Sequence, residues 1–83
     1  MSRLREMPNI GGAVAKRLVD AGISDPEQLR GIGSREAFAR IRRVDGNACY
    51  SMLCALEGAI QGVRWHYLSD EVKRDLKEFY DSL

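Results

Sequence analysis

The residues best suited to hold a ligand lie in one turn near the N-terminus, within Pro8 to Leu18. The apolar Ile10 lies there between the turn-forming residues Asn9 and Gly11. Ala15 follows Gly11 by four residues, and Leu18 follows Ala15 by three. This order is typical of the turn and second helix of a helix-hairpin-helix. Such a turn leaves the first N–H groups of a helix without intrahelical acceptors, beside the positive end of the helix dipole. We therefore predict a phosphate-binding corner.

The predicted site combines backbone donors with nearby cations. The amides of Gly11, Gly12 and Ala13 hold a phosphate oxygen, and the side chain of Lys16 or Arg17 adds charge. Contacts of this kind give affinity without reading base sequence. The complete set of predicted nucleic-acid-binding residues is Asn9, Ile10, Gly11, Gly12, Ala13, Lys16 and Arg17. The alternative is that the hairpin only turns the chain and packs two helices.

Two positions depart from the usual pattern of nucleic-acid-binding hairpins. Asn9 stands where such turns normally have glycine, and asparagine is one of the few other residues that tolerate the left-handed backbone region. Ala13 stands where they often have Lys or Arg. Gly31-Ile32-Gly33 resembles a second copy of the turn, but Arg40 occupies a position where the pattern requires an apolar residue. We therefore predict a tandem helix-hairpin-helix with one good and one degraded half.

The elements that position this corner are all predicted to be short helices. The expected fold is all-α, a single domain over residues 1–83 built as a compact bundle of five or six short helices. The first two predicted helices run from Ser2 to Met7 and from Gly11 to Asp20, the second with Gly22 as its left-handed stop. A short helix follows from the cap Asp25-Pro26-Glu27-Gln28 to Gly31, and Ser34 caps the next, whose residues Ala37, Phe38, Ile41 and Val44 face inward. The last two are predicted from Asn47 to Gly62 and after the cap Ser69. The helix that ends at Gly62 carries apolar residues nearly all round, which predicts the centre of the bundle.

Charge is unevenly distributed, although the net charge is only +1. Residues 1–44 carry nine Lys and Arg against five acids, whereas residues 45–83 carry four against seven. Such asymmetry suits a protein that touches a polyanion with one end. We interpret Arg40, Arg42 and Arg43 as a solvated face that complements the negative end of a helix dipole.

Several classes of protein and site are not supported by the sequence. No run approaches the roughly 18 apolar residues of a membrane span, and Ser2 to Glu6 lacks the apolar core of a signal peptide. A cytoplasmic protein without a membrane partner is therefore expected. Cys49 and Cys54 point about 140° apart on one helix, so they cannot pair within it and are expected to be reduced and at least half-buried. With His66 as the one imidazole, no metal and no cofactor are predicted.

The sequence also gives no arrangement for catalysis. His66 has no nucleophile nearby in sequence, and we interpret it as a residue that packs a turn. Glu57 has no second acid with which to divide acid and base roles. We expect it to make a structural hydrogen bond to Arg64, to the Trp65 N–H or to a neighbouring chain, and we predict that the chain is not an enzyme.

Four stretches resemble a known family, the C-terminal domain of the TfoX/Sxy regulators of DNA uptake competence. They are Leu4 to Gly11, Ala21 to Ile23, Glu27 to Arg30 and, most specific, Ala55 to His66. The resemblance implies a compact helical domain related to helix-hairpin-helix modules. It also implies a role in activating competence genes with a cyclic-AMP-receptor-type transcription activator. Regulators of this family carry a separate domain before this one, and the resemblance transfers no catalytic residue or DNA contact to this chain.

The sequence therefore predicts a non-enzymatic DNA-binding or transcription-accessory module linked to competence. Its expected partners are DNA, held through backbone phosphates, and a transcription activator or other protein that supplies specificity. The rival hypothesis is a protein-interaction module that docks through helix faces or through Trp65 to Leu68, without nucleic-acid contact.

Overall fold

The computed structural model describes residues 3–83, in which all regular structure is helical. The elements are a 3-10 turn at Arg3–Glu6, helix α1 at Gly12–Asp20, α2 at Pro26–Val44, α3 at Tyr50–Gln61, a second 3-10 turn at Trp65–Tyr67 and α4 at Asp70–Ser82. No residue from 3 to 83 lies in a strand, so the all-α class is confirmed. The described part holds four α-helices and two 3-10 turns, and the tandem helix-hairpin-helix interpretation stays a prediction. Ser2, the predicted start of the first helix, lies outside the described residues.

Side-chain caps fix the starts of two helices, as the sequence predicts. The Asp25 carboxylate accepts from the Gln28 N–H at 2.8 Å, and Gln28 Oε1 accepts from the Ser24 N–H at 2.7 Å. Ser69 Oγ accepts from the Val72 N–H at 3.1 Å. These bonds give partners to backbone donors that a helix start leaves open.

Helix α2 consists of two helical segments that meet at Gly33. The backbone there has φ 82° and ψ 167°, a conformation that favours glycine. Ser34 was expected to cap the second segment. It is buried instead, and its hydroxyl donates to Glu57 Oε1 on α3 at 2.6 Å. The break therefore brings a polar side chain of α2 against the central helix.

Helix α3 is the centre of the bundle, as predicted, with α2 and α4 packed against it. The residues from Leu53 to Leu56 are buried in succession, and Gly58 and Ala59 are buried one turn later. One amphipathic face cannot bury four consecutive residues, so α3 is covered on several sides.

The predicted start of α3 at Asn47 is wrong. The helix begins at Tyr50, with Cys49 in the N-cap position. Asp45 accounts for the difference, because its carboxylate accepts from the Asn47 N–H at 3.0 Å and holds that residue in a preceding turn.

Two side chains expected to be buried lie at the surface. Cys49 is exposed because it precedes the body of α3, whereas Cys54 is buried; both thiols are free. Val44 is 64% exposed because it is the last residue of α2, beyond the stretch that packs on the core.

Tyr50 fastens α4 to the start of α3. Its hydroxyl donates to the carbonyl oxygen of Lys73 at 2.9 Å, and its ring meets the Tyr80 ring edge-on at 5.9 Å. Burial of the phenol, the larger cause, and the neighbouring Cys54 thiol together raise the pKa of Tyr50 to about 12. The neutral phenol is thus the form that the fold favours.

This shift predicts a loss of stability at alkaline pH. The folded pKa lies above the unfolded value of about 10, so the contribution of Tyr50 is complete below pH 10 and is lost as pH rises toward 12. Urea unfolding across this range should show a steeper fall for the wild type than for Tyr50→Phe. Tyr67→Phe is the matched control for removal of a phenol hydroxyl. Equal pH profiles for the wild type and Tyr50→Phe would contradict the assignment.

Candidate nucleic-acid interface

Asn9 locks the predicted turn to the far end of α3. Its backbone has φ 68°, in the left-handed region expected from the sequence. Its Nδ2 donates to the carbonyl oxygens of Val63 at 2.9 Å and Ala55 at 3.4 Å, and its Oδ1 accepts from the Trp65 N–H at 3.1 Å. We call these three bonds the Asn9 clamp. The clamp occupies the side chain of Asn9, so this residue positions the corner rather than offering its amide to a ligand.

The clamp requires a glycine at position 58 of α3. A Cβ added to Gly58 would stand 2.6 Å from Asn9 Nδ2 and 2.8 Å from the carbonyl oxygen of Val63. Both distances lie well inside van der Waals contact, and the neighbours are part of the clamp itself. Gly58 therefore provides the space in which Asn9 reaches across the fold.

The corner beyond the clamp presents backbone donors to solvent. Gly11 is the N-cap of α1, and its carbonyl accepts from the Ala15 N–H at 2.9 Å. Gly11, Gly12 and Ala13 are all exposed. No acceptor among residues 3–83 takes a hydrogen bond from their N–H groups. Ile10, by contrast, is buried at 4% exposure and anchors the turn in the core.

The two predicted cations are both engaged with carboxylates. Lys16 Nζ lies 3.0 Å from Asp20 Oδ2 in a pair whose side chains are mostly exposed. Arg17 Nε donates to Asp45 Oδ2 at 2.7 Å, and this less exposed pair ties α1 to the turn before α3. Exposed ion pairs are worth about 0–1 kcal/mol, so Lys16 can exchange its carboxylate for a phosphate. Arg17 is more strongly committed to the fold.

A third cation, Arg5, was not predicted and lies over the corner. The Arg5 Cζ and one Nη atom stand 3.8 Å from the position that a Cβ on Gly12 would take. Arg5 is exposed, and no carboxylate among residues 3–83 forms an ion pair with it. Gly12 is the sequence feature that could have predicted this position of Arg5, because a glycine leaves room above the helix start for a long side chain from the preceding turn.

Glu57 makes a structural contact, with partners other than those expected. Its Oε1 accepts from Ser34 Oγ and its Oε2 accepts from Gln61 Nε2, both at 2.6 Å. His66 is exposed and stacks on the Trp65 ring, with centroids 4.2 Å apart. The expected hydrogen bond from the Trp65 N–H goes to Asn9 instead.

The arginines at the end of α2 do not form one solvated face. Arg40 pairs with Glu36 at 2.9 Å, and Arg43 is exposed. Arg42 is only partly exposed, and its guanidinium lies over the rings of Tyr80 at 5.1 Å and Phe38 at 6.0 Å. The predicted solvated face is therefore wrong for Arg42, because its side chain packs onto the aromatic rings of Phe38 on α2 and Tyr80 on α4.

The described part of the chain has neither a cluster of metal ligands nor a helix that could cross a membrane. Across residues 3–83, no three His, Cys, Asp or Glu side chains gather closely enough to hold a metal ion. No helix in this part of the chain is both long and apolar enough to span a bilayer.

Comparison with known proteins identifies the family. Residues 1–80 match the TfoX C-terminal domain. Protein Sxy of Escherichia coli K12 is 32% identical over 81 residues, covering 98% of this chain and 39% of Sxy. The DNA transformation protein TfoX1 of Aliivibrio fischeri is 28% identical over 75 residues, covering 89% of this chain and 36% of TfoX1. The chain thus belongs to the TfoX C-terminal domain family and spans less than half the length of these relatives.

Solved structures from Listeria monocytogenes share the fold closely. A triclinic crystal form of an uncharacterized protein and a tetragonal form of a protein of unknown function each align with a TM-score of 0.94 and 49% identity. Each alignment covers 95% of this chain, and 90% and 98% of the respective Listeria chains. The helical arrangement described above is therefore similar to experimentally determined structures.

The geometry around Gly58 predicts an unusual response to alanine. Gly58→Ala should lower the free energy of unfolding by about 1–3 kcal/mol, because the added methyl group overlaps the Asn9 clamp. Gly31→Ala is the matched control, since it also lies in a helix and an added Cβ there meets no atom within 4 Å. The control should be neutral or stabilising by about 1 kcal/mol. Urea denaturation measures both, and equal effects would contradict the role of Gly58.

Substitution of Asn9 separates the clamp from the backbone conformation. Asn9→Gly keeps access to positive φ and removes the three bonds, so we expect a loss of about 1–3 kcal/mol in unfolding free energy. Asn9→Ala should lose about 1 kcal/mol more, because alanine is strained in the left-handed region. Thermal and urea unfolding of both variants test this order. Wild-type stability for Asn9→Gly would show that the clamp contributes nothing.

Proposed function

We propose that this chain is a non-enzymatic accessory module in the regulation of DNA transformation and that it holds DNA by its backbone phosphates at the start of α1. The observation that carries the proposal is the exposed set of amides at Gly11, Gly12 and Ala13, which have no hydrogen-bond acceptor among residues 3–83 and lie near the guanidinium of Arg5. Backbone donors at a helix start and a free cation are complementary to a phosphate oxygen. The Asn9 clamp fixes these groups before a ligand arrives.

The expected DNA binding is weak and independent of base sequence. The corner offers Arg5 and, after exchange of its carboxylate partner, Lys16 as phosphate-binding cations. Phosphate contacts position a protein on the duplex and carry affinity, whereas contacts to base edges carry sequence information. The proposed site reads no bases. Sequence specificity in this proposal comes from a partner protein such as a transcription activator.

The family relationship supports the biological setting of the proposal. One relative bears the name DNA transformation protein, and the chain matches the domain that the family shares. The proposal places this chain in the cytoplasm, where the chromosome and the transcription activators are found.

A groove beside the corner favours the rival function, docking of a protein. It has a volume of about 350 Å³ between α1 and the end of α2. Ala13, Ile41 and Val44 line it together with the ion pairs Lys16–Asp20 and Arg17–Asp45. Val44 is 64% exposed in this groove, and Val19, on the same helix as Ala13, is 47% exposed. Exposed aliphatic groups of this kind suit a protein surface better than a phosphate backbone. The two functions differ in their response to salt.

Binding to a labelled duplex across a salt series tests the proposal. For about two neutralised phosphates, fluorescence anisotropy should record an affinity that falls about tenfold between roughly 50 and 200 mM salt. Arg5→Glu and Lys16→Glu should each weaken binding and reduce the slope of log affinity against log salt by about one. Arg74→Glu on α4 is the matched charge reversal away from the corner and should change the slope least.

Two results would favour the protein-docking rival. The first is the absence of binding to both duplex and single-stranded DNA even at low salt. The second is binding that Arg5→Glu and Lys16→Glu reduce no more than Arg74→Glu does, because the corner would then carry no phosphate.

A further inference from the structure

We infer that the nucleic acid held by this chain is single-stranded and that its bases stack on an aromatic platform formed by Trp65, His66 and Tyr67. The inference rests on the proposed function and names the ligand class of the same site. It starts from exposure: Tyr67 is 79% exposed, the largest exposure among the big hydrophobic side chains described, and His66 is also exposed. Large aromatic rings left in solvent on an ordered turn need an explanation.

Two rings of the platform, those of Trp65 and His66, are stacked on each other. Trp65 and His66 stack with centroids 4.2 Å apart and an interplanar angle of 27°. Trp65 is partly buried and packs against the core, so it supports His66 from below. Tyr67 follows directly in the chain. Aromatic side chains stack on any base, because every base has a π-face.

The platform is rigid before any ligand binds. The Tyr67 N–H donates to the Arg64 carbonyl at 2.9 Å and the Leu68 N–H donates to the Trp65 carbonyl at 3.2 Å. Lys73 Nζ donates to the His66 carbonyl at 3.3 Å, and Leu68 is buried at 4% exposure. A backbone turn held in this way loses little conformational entropy on binding, which favours its use as a contact surface.

The platform and the phosphate-binding corner are neighbours in the fold. The Trp65 N–H donates directly to Asn9 Oδ1, and Gly12 follows Asn9 by three residues, a span of at most about 11 Å. A strand whose phosphate sits at the corner can therefore place a base on the platform. Arg64 is exposed at the start of the platform and adds positive charge.

Acidic residues on the other side of the platform disfavour the phosphate backbone of the nucleic acid there. Asp70 and Glu71 are exposed in the first turn of α4, directly after the platform. These carboxylates repel phosphates, so the backbone is favoured on the side of Arg5 and the Asn9 turn. The Trp65 ring is covered by His66 and by Lys73 Nζ, which lies 5.9 Å from its centroid, so the exposed rings of the platform are those of His66 and Tyr67. The combination of a cationic side and exposed aromatic rings is typical of proteins that bind single strands.

The bases of a duplex cannot stack on the aromatic rings of this platform. Bases in a double helix are stacked on one another, and their faces become available only in single strands, loops and ends. The corner alone would accept a phosphate from a duplex or a single strand equally. The platform is the feature that distinguishes the two ligands.

The test compares four oligonucleotides of about 12 nucleotides with the full chain: oligothymidylate, oligouridylate, a base-paired duplex, and an abasic deoxyribose-phosphate strand. The abasic strand keeps the phosphates and lacks the bases. Anisotropy of a label on each strand gives the affinity. Trp65 is the only tryptophan, so its fluorescence independently reports base stacking at the platform.

We expect oligothymidylate or oligouridylate to bind about tenfold more tightly than the abasic strand and to quench Trp65. Tyr67→Leu should weaken the binding of these base-bearing strands about tenfold and leave the binding of the abasic strand unchanged. Tyr67→Phe, which keeps the π-face, should bind like the wild type. The exposed position of Tyr67 predicts an unchanged Tm for both variants. The ratio between the two base-bearing single strands identifies DNA or RNA as the ligand.

The outcomes separate this inference from the proposed function. Salt-dependent duplex binding without preference for base-bearing single strands overturns the inference and leaves the phosphate corner in place. Equal affinity of Tyr67→Leu and Tyr67→Phe for oligothymidylate also overturns it. Failure to bind any of the four oligonucleotides at low salt overturns both.

Discussion

The Asn9 clamp is the constraint on which the rest of the structure depends. One asparagine, in the left-handed backbone region, joins the turn before α1 to the end of α3 and to the turn at Trp65 through three hydrogen bonds. Each of the three bonding partners lies more than 45 residues from Asn9 in the chain. The clamp therefore fixes both the direction of α1 and the position of the Trp65 segment. A partly buried amide that satisfies two carbonyls and one N–H is also costly to replace, because each partner would lose its bond in a partly desolvated site.

This constraint bears on how a nearly neutral chain could present the proposed anion site. Exposed amides and Arg5 lie where α1 begins, and Lys16 lies one turn further along the helix, paired with Asp20. Arg17 instead serves the fold through Asp45. In this proposal, phosphate binding depends on the charge at the start of α1 and not on the net charge of the whole chain. The net charge of +1 is consistent with weak binding that requires a partner for specificity.

Local signals in the sequence were sufficient for the helical class, the caps at Asp25 and Ser69, and the central position of α3. Those features depend on residues within a few positions of one another, and pattern rules address that range. The contacts of Asn9, Gly58 and Arg5 depend on tertiary packing, which no spacing rule reveals. The same limit applies to Ser34, whose hydroxyl was expected to cap a helix but bonds to Glu57 across the α2–α3 contact.

The most direct measurement of the central claim is an NMR titration of the nitrogen-15-labelled chain with a short DNA strand at low salt. We expect the largest amide shifts at Gly11, Gly12 and Ala13, since their N–H groups would gain a phosphate acceptor. Asn9→Gly, with its turn released from α3, should show smaller shifts at the same DNA concentration. Shifts confined to the groove near Val44, or spread evenly over the basic residues, would contradict the account.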